Sequence, residues 1–198
     1  MKSFILTHCL LTLMAVVTAC QKIDTTWADS PSPEDEGKTI TVDQCEKCLV
    51  VTEQYKDRVA VLDVNSQKFI WEWTPQTSNV PSSHWSWFRL IDEAKPVYSN
   101  QYILLTATSG GVALVRIADK KAVWYSYSDG KPHSAEILPD GNVVVANATG
   151  LTLTFFSVDT LQTGTTAKKR YYHLGEGHNA VWDKKRNVLW TTSHDALK

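Results

Sequence analysis

An all-β fold made of repeated four-stranded units is what the sequence predicts, and three observations predict it. From Thr39 onward, short runs rich in valine, isoleucine, threonine and aromatics alternate with polar turns, the composition of half-buried strands. One strand-turn-strand segment recurs, since Val64 to Trp71 matches Ile117 to Trp124 position by position, a shift of 53 residues. A second also recurs: His133-Ser134-Ala135-Glu136 leads nine residues on to Asn142-Val143-Val144, and His178-Asn179-Ala180-Val181 leads nine residues on to Asn187-Val188-Leu189. A period of about 45 to 50 residues with four short strands per unit belongs to propeller blades, which cannot bury their faces alone and so stack on their neighbours. A β-sandwich would show no such period.

The elements follow in chain order. Met1-Lys2 supplies a short positive start, and Phe4 to Val17 is an apolar run. That run is too short for a bilayer, which takes about 20 apolar residues, but it suits a signal-peptide core. Val17-Thr18-Ala19-Cys20 resembles the bacterial lipobox, a branched apolar residue and two small ones before the cysteine. This resemblance implies a signal peptide over 1–19, a diacylglyceryl group on Cys20 and a membrane as partner. Gln21 follows the cysteine where an Asp would retain the protein at the inner membrane, so the implied destination is the outer membrane of a Gram-negative bacterium. Residues 20–38 are then the lipidated cysteine and a tether whose acidic, proline-punctuated composition cannot order itself.

Four cysteines fall to two once Cys9 leaves with the signal and Cys20 is lipidated. Cys45 and Cys48 could form a disulfide, a redox pair or half of a metal site, but no second CxxC completes a zinc site. Cys48 opens the strand-like run to Thr52, so a local disulfide or two inert thiols is the favoured reading.

Residues 39–198 are read as a partial propeller. The first blade runs from Thr39 to Trp73, beginning with a strand over Thr39 to Val42. The second runs from His84 to Tyr127, the third from His133 to Leu174, and the inner half of a fourth starts at His178. His84-Trp85-Ser86-Trp87 is expected to open the second blade, with a longer connection through Lys95-Pro96. About three and a half blades cannot close a ring, since propellers typically need about four to eight. The expectation is therefore a truncated product, with completion by another chain as the alternative.

The strand ending Phe69-Ile70-Trp71-Glu72-Trp73, the segment from Pro132 to Ala146 and Gly177-His178-Asn179-Ala180-Val181-Trp182-Asp183 resemble the propeller lipoproteins of a domain-of-unknown-function family in Gram-negative bacteria. More distantly they are similar to quinoprotein-type and arylsulfotransferase-type propellers. The resemblance covers Thr39 to the end and implies the fold but no established activity. The second half of those proteins has no counterpart here.

With 20 basic and 21 acidic residues the net charge is -1, which argues against nucleic acid as a partner. Lys168-Lys169-Arg170 and Lys184-Lys185-Arg186 read as solvated charge. The inner strand of a blade lines the central channel, and its start faces one mouth. If His84, His133 and His178 occupy that start on three successive blades, they converge there with Glu136 nearby. Imidazoles and a carboxylate so gathered could hold a divalent metal, the one candidate cofactor, with His84, His133 and His178 as ligands. They could equally hold an acidic sugar or sulfate, or move a proton near neutral pH. The competing reading is that each histidine bonds a neighbouring blade's backbone. Trp71, Trp73, Trp124, Trp182 and Trp190 read as core between blades, while Trp85 and Trp87 beside His84 are candidates for ligand contact. No nucleophile elbow, phosphate loop or HExxH is present. Two function classes remain: a membrane-anchored module binding a glycan or partner protein at the channel mouth, or a propeller enzyme acting on polysaccharide or sulfate esters.

Overall fold

The computed structural model describes residues 41–198, so the expected signal peptide, Cys20 and nearly all of the tether lie outside the described residues. Thirteen strands form four antiparallel meanders among the described residues. The first sheet holds β1 (Cys48–Glu53), β2 (Arg58–Asp63) and β3 (Lys68–Trp73); the second β4 (Ile91–Val97), β5 (Tyr102–Ala107), β6 (Gly111–Arg116) and β7 (Ala122–Tyr127). The third holds β8 (Pro132–Ile137), β9 (Val143–Asn147), β10 (Thr152–Phe156) and β11 (Lys169–His173), and the fourth β12 (Asn179–Asp183) and β13 (Val188–Thr192).

Aspartates start several of the turns. The Asp63 carboxylate accepts the amides of Asn65 and Ser66 at 3.2 and 3.1 Å, and Asp140 and Asp183 accept from Asn142 and Lys185 at 3.0 and 2.9 Å. A carboxylate bonding the backbone two or three residues on mimics a turn hydrogen bond. The hydroxyl of Ser66 also donates to Asp63, and with the amides it holds that carboxyl below its ordinary value.

Strand alternation then stacks the sheets. On β5, Ile103 and Leu105 join the core shared with the first sheet, while Leu104 between them joins the core shared with the third. On β9, Val143 and Val145 face the second sheet, and Val144 and Ala146 pack with Ala180 of the fourth. These strands are apolar on both sides because both faces are covered by neighbouring blades.

The 53-residue shift holds in three dimensions, pairing β2 and β3 with β6 and β7. By that register β1 corresponds to β5, and the first sheet lacks a counterpart to β4. The strand expected over Thr39 to Val42 is not formed in its described part: Val42–Gln44 is a 3-10 helix, followed by the Cys45–Cys48 disulfide. The disulfide ties Cα atoms 5.9 Å apart, so the chain turns tightly immediately before β1.

Side chains of one blade bond the backbone of the next. Trp71 and Trp73 donate their indole N–H groups to Ile117 O (2.9 Å) and Lys120 O (3.1 Å). The Thr52 hydroxyl donates to Asp92 O and that of Thr106 to His133 O, both at 3.3 Å and at corresponding positions of successive blades. Trp71, Trp73 and Trp124 are buried as expected, whereas Trp190 is exposed and bonds Asp183. Trp182 is half-buried.

Candidate functional site

The inner strands β4, β8 and β12 carry the polar residues. In the second and third sheets the pairing slips at the same place: Ile91 faces Ala107 and Pro132 faces Asn147, and regular pairing resumes at Glu93 with Thr106 and Ser134 with Ala146. The residues at the irregularity are Asp92 and His133, which therefore correspond. Asn179, the counterpart of Ser134, opens β12 immediately after His178.

These three equivalent positions meet. The His133 and His178 rings lie 5.1 Å apart, nearly perpendicular, and His133 Nδ1 is 3.6 Å from a carboxylate oxygen of Asp92. His178 Nδ1 is 2.8 Å from Glu176 O. Both Asp92 and His133 keep about a quarter to a third of their side-chain surface open, 25% and 30%. A carboxylate and two imidazoles from three blades thus share one accessible point.

One residue further in, a connected network joins the same strands. The Glu93 carboxylate accepts from the Ala135 amide (2.9 Å) and the Ser134 hydroxyl (3.0 Å), and Ser134 Oγ accepts from the Ala180 amide (3.2 Å). Lys95 donates to Ala135 O and Ala180 O, both at 2.9 Å, and its ammonium lies 3.3 Å from Glu93 and 3.8 Å from Glu136. Inner-strand backbone groups that no strand pairs are satisfied by side chains from earlier blades, as burial demands.

The other sequence-predicted residues go elsewhere. His84 lies on a 3-10 helix, Ser82–Phe88, and not on an inner strand; its ring stacks on Trp87 at 3.8 Å and its Nδ1 is 3.1 Å from the Tyr125 hydroxyl. Asp92 takes the place expected for it. Trp85 donates to Val80 O at 2.9 Å and is partly exposed. Glu136 lines a cleft with Val97, Tyr98 and Trp182 at the other end of the inner strands. Glu136 therefore joins the Lys95 network and this cleft, while His133 meets Asp92 and His178. Among the described residues no group of three or more His, Cys, Asp or Glu is arranged to hold a metal ion; of the three candidate ligands, His133 and His178 meet, and His84 lies against Trp87 and Tyr125. Sequence reasoning missed Asp92, Glu93 and Lys95, because Asp92-Glu93-Ala94-Lys95 shares only its alanine with His133-Ser134-Ala135-Glu136.

The chain belongs to the family described as "Family of unknown function (DUF6528)", which matches residues 1–196. No curated protein matches it in sequence. Its structure is similar to the WD40 β-propeller domain of Doa1 (TM-score 0.57, 12% identity, 77% of this chain and 45% of that one). It is similar to hydrazine synthase of Kuenenia stuttgartiensis (0.52, 18%, 77% and 42%) and to catalytically inactive virginiamycin B lyase from Staphylococcus aureus with quinupristin (0.55, 14%, 80% and 49%). At these identities the likeness shows the β-propeller fold, and the chain spans less than half the length of each of these structures.

Proposed function

We propose that this member of the DUF6528 family is a cell-envelope lipoprotein whose propeller domain, residues 39–198, binds a glycan or partner protein at the channel mouth. A signal peptide over 1–19 directs export, a lipid on Cys20 anchors the protein in the outer membrane, and residues 20–38 tether the propeller to it. The observation that carries the binding reading is the convergence of Asp92 on β4, His133 on β8 and His178 immediately before β12. Together they offer acceptors and donors to a hydroxyl-rich or charged group. The Cys45–Cys48 disulfide supports export, since such bonds persist in oxidising compartments. An enzymatic reading draws on the Asp92 carboxylate beside His133, the arrangement of a base and the group that orients it; its substrates would be polysaccharides or sulfate esters.

Labelling with an alkynyl palmitate should mark the wild-type protein and not Cys20→Ala; equal labelling would end the lipoprotein reading. Calorimetry with sulfated and uronic-acid oligosaccharides should show binding that a His133→Ala/His178→Ala double variant weakens about tenfold or more. Equal binding by that variant would make these histidines structural. Cleavage or desulfation of the same oligosaccharides, lost in His133→Ala, would select the enzyme.

A further inference from the structure

A second cleft, of about 520 Å³, lies away from the channel, and its walls include Trp87, Ser109, Tyr127, Thr165 and Lys169. The chain builds this cleft from three separate places. Trp87 comes from the 3-10 helix before β4, with His84 stacked on it at an interplanar angle of 14°. Tyr127, at the end of β7, meets the edge of Trp87 with ring centroids 5.3 Å apart. The tyrosine lies over Gly110, where a Cβ would come within 2.2 Å of the ring and where φ is +110°. That position is closed to larger residues in both space and backbone conformation, which leaves the space above it to the tyrosine ring.

The third wall is the connection between β10 and β11, residues 157–168. The corresponding turn between β6 and β7 is only Ile117 to Lys121. The longer connection docks on the outer strand of the second blade, where the Gly164 amide donates to Tyr125 O at 2.7 Å and the Ser126 hydroxyl donates to Gly164 O at 3.1 Å. Loops of this length with no strand of their own are usually functional when they are ordered. At its end Lys169 pairs with Asp129 at 2.9 Å and reaches Tyr127 O at 3.4 Å.

We propose that this cleft is a binding site for neutral hexopyranose oligosaccharides, separate from the channel mouth and independent of the reading given to it. Trp87 and Tyr127 offer apolar ring surface to the C–H face of a sugar. Ser109, Thr165 and Lys169 supply hydrogen-bonding groups for its hydroxyls. Lys169, the one charged residue lining the cleft, is already balanced by Asp129 beside it and is not a bare cation. This favours an uncharged polyhydroxy ligand over an anion. The volume falls within the range of about 300–1,000 Å³ typical of small-molecule sites.

The full chain, purified in detergent, would be titrated with cellotetraose, maltotetraose, mannotetraose and chitotetraose, with tetragalacturonate as the anionic comparison. Saturation-transfer NMR would identify binding and calorimetry would measure it. At least one neutral tetrasaccharide should bind. Trp87→Ala should weaken it about tenfold or more and Lys169→Gln about threefold, while the His133→Ala/His178→Ala variant binds as wild type. Near-UV circular dichroism would check the fold, and if Trp87→Ala is disordered, Lys169→Gln and Ser109→Ala decide the outcome. The proposal is overturned if no neutral tetrasaccharide binds, if only tetragalacturonate binds, or if binding is lost in the histidine variant alone. That last outcome would place the glycan at the channel mouth.

Discussion

Strands β4 and β5 are neighbours in one sheet and are held by different physics. In β5, Ile103 to Ala107 are buried and, Thr106 apart, apolar, filling the space between the first and third sheets on alternate faces. In β4, only Ile91 is buried; Asp92, Glu93 and Lys95 follow it and Pro96 stands near the end. Its proline is tolerated because β4 pairs with one strand only, leaving the other edge without a ladder to break. Middle strands are thus secured by burial, and inner strands by side chains that bond the backbone of the adjoining blade. The difference between the two teaches where stability and where recognition can reside: the chemistry gathers on the strands that packing does not saturate.

The largest effect expected of this contrast is in the packed layer. Phe156 is 1% exposed and meets Trp124 edge-on at 5.5 Å, so Phe156→Ala should cost about 3–5 kcal/mol in urea denaturation. Lys95→Met leaves the carbonyls of Ala135 and Ala180 without their donor and should cost on the order of 1–3 kcal/mol. A loss as large as that of Phe156→Ala would break the distinction, since the inner network would then stabilise the fold as much as the core does.

The paired threonines sharpen the contrast. Thr106→Val and Thr52→Val each remove one equivalent hydroxyl bond to the next blade and should cost about 1 kcal/mol or less. The loss should be larger for Thr106, which is fully buried. Equal costs in denaturation would show that burial does not govern these bonds.

The smallest effect belongs to an exposed rim turn, outside both layers. Arg116 bonds Asp119 at 3.0 and 2.7 Å and holds its carboxyl down at about 2. Because the folded value is lowered, the pair's contribution is present above the ordinary carboxylate value of about 3.9 and is lost as pH falls through about 2. Carbon-13 titration should find the Asp119 midpoint there and return it toward the ordinary value in Arg116→Ala.

The same contrast explains what was legible in the sequence. Apolar strands such as Val143 to Ala146 announced themselves by composition, and the repeat from Val64 to Trp71 and Ile117 to Trp124 gave the blade register because Trp71 and Trp124 each fill the core toward the following sheet. The 45-residue match between His133 and His178 reflects the same register: His133 lies on β8, His178 stands immediately before β12, and their rings meet. Strand β4 was not legible: its charges serve the network across the channel and leave no alternation to read. His84 drew attention as a third histidine, whereas the true counterpart of His133 is Asp92, a different residue type brought there by register alone. Thr39 to Val42 had strand-forming residues, yet local turning before the disulfide decided the described end of that segment.

The hydrogen bonds around the channel also have a direction. Thr52, Glu93, Lys95, Thr106 and Ser134 each reach from an earlier blade to the backbone of a later inner strand. A chain emerging from the ribosome therefore has a finished template waiting for every inner strand as it appears. Assembly can advance blade by blade in the order of synthesis.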